Sequence, residues 1–411
     1  MSSQASIEPR LVFDPYDHAL QDDPYPVYAR LRREDPFHHD EQHDFWVLSR
    51  HADVHAAVRS DAAYSNRMGV SLDASAWNEH AHTVMSFLAM DPPRQTRLRR
   101  LVSKGFTPRR VAELEPRIQR ITDHYLDRHL GAARSGDTVE LDWIVDLAGK
   151  VPMDVISEML GVPESDRDEV RRLADLLVMR EDGLRDVPPA GIEASLQLFE
   201  YYRGHVAHRK QHPTDDLTTA LLAAQEGGDR MSEAEVVGFL FLMVVAGNET
   251  TTKLLGNAMF HLTADPAQRD RVFGDAALVP RWIEETLRHD TSTQLLARLL
   301  VEDLTLHGRT APAGSQVLLA LGSANHDEDV FTDPETFRLD RPDDQLSQIV
   351  SFGGGRHFCL GANLARLEAR VVLDSLLRRV STVEVDHARC VRFYSANVRG
   401  FEHVPARLVV R

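Results

Sequence analysis

The sequence predicts a mainly α-helical single domain with small β-sheets, on three observations. Helical periodicity dominates from Asp91 to about Leu300, short strand-like runs flank that body, and no linker composition divides the chain. A length of 411 residues loosely suggests two or three domains but equally fits one large layered domain. Hydrophobic residues make up 43% and charged residues 27%, which supplies a sizeable core and excludes a disordered chain.

Taken in order, residues up to about 13 are expected to form a flexible N-terminal segment of a domain that occupies 1–411. Pro24 to Arg33 reads as a capped helix, Phe45 to Leu48 as a short strand and His51 to Ser60 as a second helix. Through the helical body, Pro92-Pro93, Pro108, Pro163, Pro188-Pro189, Pro213 and Pro266 mark the breaks between helices. Leu299 to Leu306 and Gln316 to Leu321 read as strands around the turn Pro312-Ala313-Gly314. A final long helix runs from about Ala362 to Arg379.

Charge and cysteine usage narrow the function. With 47 basic against 63 acidic residues the net charge is -16, which argues against nucleic acid or an anionic membrane as partner. Two cysteines, Cys359 and Cys390, are too few for a disulfide framework and suit a reducing compartment. Met1 to Leu11 has no apolar core of a secretory signal. The longest apolar run, Val236 to Ala246, has 11 residues against the roughly 18 needed for a bilayer span, so a cytoplasmic protein is expected.

The chemistry concentrates in a few places. Ser351-Phe352-Gly353-Gly354-Gly355-Arg356-His357-Phe358-Cys359-Leu360-Gly361 joins a glycine-rich turn to one cysteine at the start of an amphipathic helix. Glycines let the backbone approach a flat ligand, and free N–H groups at the helix start favour a thiolate. Cys390 stands alone and reads as a packed, inert thiol. Ala246-Gly247-Asn248-Glu249-Thr250-Thr251 places an acid and a hydroxyl in the middle of an apolar helix. Thr250 is expected to bond back to the carbonyl of Ala246, and Gly247 removes bulk, so a groove can open there. Glu285 and Arg288, at i,i+3, would alone be an ordinary surface pair worth under about 1 kcal/mol.

These features in this order resemble the cytochrome P450 family along nearly the whole chain, from about Asp14 onward. The run Phe352 to Gly361 is similar to the family's cysteine-ligand loop at every defining position. The resemblance implies the P450 fold with haem b (iron protoporphyrin IX) held by Cys359 as proximal iron ligand. It places Phe352, Gly353 and Gly361 around the sulfur, and implies that His357 contacts a propionate. On the other side it makes Ala246 part of the haem wall, Thr250 the residue that steadies bound oxygen and Glu249 the acid that helps deliver protons. Glu285 and Arg288 become a structural network whose third member is Arg338 or Arg341, because Thr336 stands where the family usually has an arginine. Arg99 and Arg298 are further propionate contacts. Gln95 stands where a histidine is common and can offer only a neutral hydrogen bond.

The implied reaction is insertion of one oxygen atom from O2 into a lipophilic small molecule, such as a steroid, terpenoid, polyketide or fatty acid. Electrons would come from a separate ferredoxin and its reductase. Rival readings are a peroxide-dependent haem-thiolate enzyme and a non-catalytic haem sensor or ligand carrier. Met243, Ala246, Leu295, Leu296 and Val398, the loop Asn66 to Met90 and the helices around Leu176 to Arg209 are expected pocket walls. Seven basic residues lie between Arg94 and Arg110, and Arg97, Arg100 and Lys104 on one helical face suggest a dock for an acidic ferredoxin. His38, His39 and His43, and His205, His208 and His212, are expected to be solvated surface histidines.

Overall fold

A computed structural model describes residues 11–226 and 228–411. Its axis is the helix Glu233–Ala264, 32 residues long, which starts at a capping box between Ser232 and Glu235. This helix is apolar almost all round, and a helix of that kind must be covered on every side. Val151–Leu160, Arg167–Val178, Pro189–Gln211, Val279–His289 and Ala362–Arg379 supply the cover. By length and composition the long helix could cross a membrane, but 61% of its most apolar window is buried inside the fold.

The expected single strand from Leu299 to Leu306 is two. Leu295–Leu300 and Leu304–Leu306 are separated by an exposed turn at Val301, Glu302 and Asp303. Leu295–Leu300 belongs to a five-stranded sheet that continues through Gln316–Ala320, Phe45–Leu48 and Phe37–Asp40, with Tyr64–Ser65 on its other edge. Phe45–Leu48 pairs with Gln316–Ala320 in parallel, so the N-terminal strands are locked onto the later half of the chain. A second sheet of Thr138–Asp142, Pro405–Val410 and Val380–Val385 was not legible in the sequence. Of the segment expected to be flexible, residues 1–10 lie outside the described residues, and Phe13 is 1% exposed in the core against Tyr28 and Phe45.

The Glu285–Arg288 pair is fully buried, not a surface pair. Arg288 donates to Glu285 through Nε at 3.0 Å and Nη2 at 2.8 Å. The third member is Arg341, whose Nε donates to Glu285 Oε2 at 2.8 Å; Arg338 contributes its backbone N–H at 3.0 Å. The carbonyl of Thr336 accepts from both Arg288 and Arg341, so no side chain was needed at 336. Arg288 also bonds the carbonyl of Asn325, whose amide spans to Ser351 Oγ and the N–H of Val350. The network thereby fixes the start of the cysteine loop.

Two of the six expected surface histidines are not solvated. His205 is buried and bonds the carbonyl of Leu160, and the His43 ring lies between Tyr16 and Phe45. Among the described residues no group of His, Cys, Asp and Glu side chains could hold a metal ion.

Candidate functional site

Cys359 sits where the glycine loop meets the helix Ala362–Arg379. Gly353 (φ 67°) and Gly355 (φ 57°) adopt the left-handed backbone that favours glycine, and a Cβ at Gly355 would stand 2.9 Å from the carbonyl oxygen of Val58. The N–H of Cys359 donates to the carbonyl of Phe352 at 2.9 Å, which closes the loop. Its sulfur lies deep in the protein yet opens onto an internal cavity, with the N–H groups of Gly361 and Ala362 directed at it. Burial pushes the thiol up from its ordinary value, against the opposing pull of Gly361, Arg99, Arg366 and Ala362. A metal cation at the sulfur is what would complete the thiolate. The Arg366 guanidinium lies 4.5 Å over the Phe352 ring and so holds that ring against the loop.

The opposite wall is the middle of the long helix, through Met243, Ala246, Gly247, Thr250 and Thr251. Thr250 Oγ1 donates to the carbonyl of Ala246 at 2.8 Å, as its mid-helix position predicts. Glu249 is on a different face and does not line the cavity. It is 4% exposed and pairs with Lys253 Nζ at 3.1 Å, one turn further along the helix. Burial opposes its ionisation, but Lys253 and a hydrogen bond from Asp175 prevail and hold its carboxyl below the usual range. Burial and the Glu249 charge push Asp175 up to about 9, so this pair keeps one proton, on Asp175.

A cluster of nitrogen bases borders one side of the cavity. Arg298 is 4% exposed on the strand Leu295–Leu300, and its guanidinium donates to the carbonyl of its neighbour Ala297 at 2.8 Å. Burial lowers it to about 10 despite the charge of Asp91. His357 Nδ1 is buried without a partner, and burial together with Arg298 pushes the ring down to about 4. Arg99 reaches the carbonyl of Phe358 at 2.5 Å. An orphaned imidazole nitrogen beside two guanidiniums is a site for anionic oxygens, so these residues fit the propionates of a haem whose iron meets Cys359. Gln95 does not take part: it is buried, with its Nε2 on the carbonyl of Arg356 at 2.9 Å.

The expected pocket residues divide. Met243, Ala246 and Leu296 line the cavity. Leu295 and Val398 do not; both face a separate small pocket near Phe13 and Tyr28, because neighbouring residues on a strand point to opposite faces and only one of Leu295 and Leu296 can face the site. From the loop Asn66 to Met90 only Phe87 and Leu88 reach the cavity, and the helices from Leu176 to Arg209 contribute nothing to its wall. Sequence reasoning missed the polar run Thr291-Ser292-Thr293, together with Ile156 and Glu368. Glu368 carried a signal, a lone acid on the apolar face of the final helix.

The basic helix Arg94–Ser103 also departs from expectation. Arg97 pairs with Asp229 at 2.6 Å and Glu235 at 2.7 Å, so this part of the expected docking face is neutralised within the protein. Cys390 is half-buried, bonded to the carbonyl of Asp386 and pushed up to about 11 by burial, as befits an inert thiol.

A family model described as cytochrome P450 matches residues 195–395. A Mycobacterium tuberculosis chain designated cytochrome P450 123 is 51% identical over 404 residues, 98% of each chain. A vitamin D(3) 25-hydroxylase of Pseudonocardia autotrophica is 38% identical over 403 residues, 96% of each chain. The crystal structure of CYP109E1 from Bacillus megaterium in complex with testosterone superposes with a TM-score of 0.80 at 31% identity, covering 94% of this chain and 99% of that one.

Proposed function

This chain belongs to the cytochrome P450 family and is a haem-b monooxygenase, and from that premise we propose that it hydroxylates or epoxidises a steroid-like lipophilic molecule in the cytoplasm, drawing electrons from a separate ferredoxin and reductase. The observation that carries the proposal is the single cavity that Cys359 and Thr250 share from opposite walls. Haem, when bound, supplies reductive activation of O2: two electrons and two protons leave one oxygen as water and place the other in the substrate.

The protein's own residues do the rest. The N–H groups of Gly361 and Ala362 orient the Cys359 sulfur, while Arg298, His357 and Arg99 would hold the propionates of a bound haem. Thr250 spends its hydroxyl proton on Ala246, so toward the cavity it presents lone pairs that can accept from water and hold it in place. Glu249 and Asp175 keep a proton behind the helix wall, with Glu249 paired to Lys253. Phe87, Leu242, Met243, Ile156 and Leu296 make the substrate side apolar, while Thr291, Ser292 and Thr293 offer it a few hydroxyls. That mix suits a rigid hydrocarbon with one or two polar ends, in keeping with one relative that is a vitamin D(3) 25-hydroxylase and one structural neighbour solved in complex with testosterone.

The test is spectral titration with a panel of steroids, secosteroids and fatty acids, followed by turnover with ferredoxin, reductase and NAD(P)H. The expected outcome is a saturable spectral shift and an oxygenated product from a sterol-like member. A shift with fatty acids alone, or product with peroxide but none with ferredoxin, would overturn the proposed substrate class or electron source respectively.

A further inference from the structure

Three histidines far apart in the sequence, His261, His289 and His326, meet in one cluster that the chemistry above does not use. His261 comes from the long central helix, and His289 ends the helix Val279–His289. His326 follows Asn325, a member of the network that supports the cysteine loop. The ring centroids of His261 and His289 stand 4.7 Å apart and those of His289 and His326 5.3 Å apart. Tyr25, from the helix Tyr25–Glu34, stacks on His326 at 4.2 Å and closes the cluster.

The hydrogen bonds fix the proton count. His289 Nδ1 meets Arg288 Nη2 at 3.3 Å, and a guanidinium can only donate, so this ring accepts and is neutral. His326 is fully buried with an acceptor on each ring nitrogen: the carbonyl of His289 lies 2.7 Å from Nε2 and Glu335 Oε2 lies 3.1 Å from Nδ1. A neutral imidazole has one donor, so it serves one of these contacts and leaves the other between two acceptors. Glu335 does not hold the missing proton: burial opposes its ionisation, but His326, Arg32 and Arg288 prevail and keep its carboxyl below the usual range. A proton on His326 would complete the bond to Glu335, yet its charge would face Arg288. Burial and Arg288 hold His326 below its ordinary value, against Glu335 and the His289 carbonyl. Burial, His261, His326 and Arg288 hold His289 well below it, against Asp290. Asp290 is already shared among Arg399, Arg392, His261 and the Tyr25 hydroxyl.

Arg288 joins this cluster to the site. The same Nη2 that meets His289 donates to Glu285 Oε1 and to the carbonyl of Thr336, while Nη1 holds the carbonyl of Asn325. We propose that the three-histidine cluster is an acid-sensitive lock on the cysteine loop: a proton on His289 or His326 sets a second positive charge against Arg288, loosens its grip on Asn325 and Thr336, and so releases the support of Cys359. Both rings sit below their ordinary value of about 6.5, so as pH falls through that value the loosened chain takes up protons that the closed lock refuses. The lock is therefore closed at neutral pH and weakens toward acid.

The test uses the haem-loaded protein and the double variant His289→Gln with His326→Gln, whose amides keep hydrogen bonds but do not titrate. The readout is the ferrous–carbon monoxide band of thiolate ligation, followed as pH is lowered from about 7.5 to about 5 and then returned. Wild type should lose the band and regain it, and the double variant should lose it at a pH lower by about half a unit or more. His80→Gln, an exposed histidine outside the cluster, should behave as wild type. Equal midpoints in wild type and the double variant would overturn the proposal. Should the double variant fail to fold, hydrogen exchange of the wild type decides it. Corrected for intrinsic rate, amides in 285–293 and 321–341 should open several-fold more at about pH 5.5 than at about pH 7.5, and unchanged opening would overturn the lock.

Discussion

Replacing Glu285 by glutamine is the perturbation whose size the structure predicts best. The carboxylate is fully buried and accepts two hydrogen bonds from Arg288, one from Arg341 and one from the N–H of Arg338. Glutamine keeps the shape but removes the charge, and its NH2 group faces guanidinium donors where an acceptor stood. Two buried guanidiniums then share no counter-charge, and breaking a buried ion pair from one side costs about 3–5 kcal/mol. At roughly 2.1 cal/mol/K per residue, a chain of this length has an unfolding entropy of about 0.9 kcal/mol/K, so a loss of about 4 kcal/mol lowers the midpoint by about 5 °C. Thermal unfolding of the E285Q protein by circular dichroism is the assay. Arg109→Ala, which removes an exposed i,i+4 pair with Glu113, is the control and should shift the midpoint by about 1 °C at most. An E285Q midpoint within that control range would refute the claim that the network is a buried, charge-balanced support of the cysteine loop.

Four further outcomes are expected. Arg298→Met removes a buried donor at the propionate edge, and at about 1.5–3 kcal/mol for a charge-assisted bond the haem dissociation constant should rise about 10- to 100-fold, as measured by transfer to apomyoglobin. In apoprotein, the lowered His357 means that the unfolded chain binds the extra proton between its ordinary value and about 4. Stability should therefore fall as pH drops through that window, and His357→Gln should flatten the dependence in denaturant titrations. Thr250→Ala should keep haem and substrate binding but send electrons to hydrogen peroxide, measured as peroxide per NAD(P)H. Leu296→Phe should change substrate affinity with little change in stability, whereas Leu295→Phe, in the packed core, should destabilise by about 1–3 kcal/mol and leave the spectral titration unchanged.

The helical body and the cysteine loop were legible because their signals are local. The helix Ala362–Arg379 and the strand Phe45–Leu48 match their expected bounds, and the Thr250 to Ala246 bond follows from the side chain and its helix alone. The sheet formed by Thr138–Asp142, Val380–Val385 and Pro405–Val410 was hidden because pairing rather than pattern makes these segments strands, and Thr138–Asp142 finds its partner Pro405–Val410 hundreds of residues further along the chain. The same distance effect misplaced side chains at the site. Sequence adjacency put Glu249 beside Thr250, but neighbours on a helix point about 100° apart, and Lys253 with Asp175 claimed the acid. Gln95 went to a carbonyl and Arg97 to two carboxylates for the same reason: partners brought by tertiary packing are invisible to local spacing.

The central claim, that Cys359 binds haem iron as a thiolate in this cavity, is tested most directly by the ferrous–carbon monoxide difference spectrum of the wild type and Cys359→Ser. The account predicts the red-shifted band of thiolate ligation in the wild type and its loss in the variant, with Cys390→Ser indistinguishable from wild type. A variant that kept the band, or a wild-type protein with haem bound and the band absent, would contradict it.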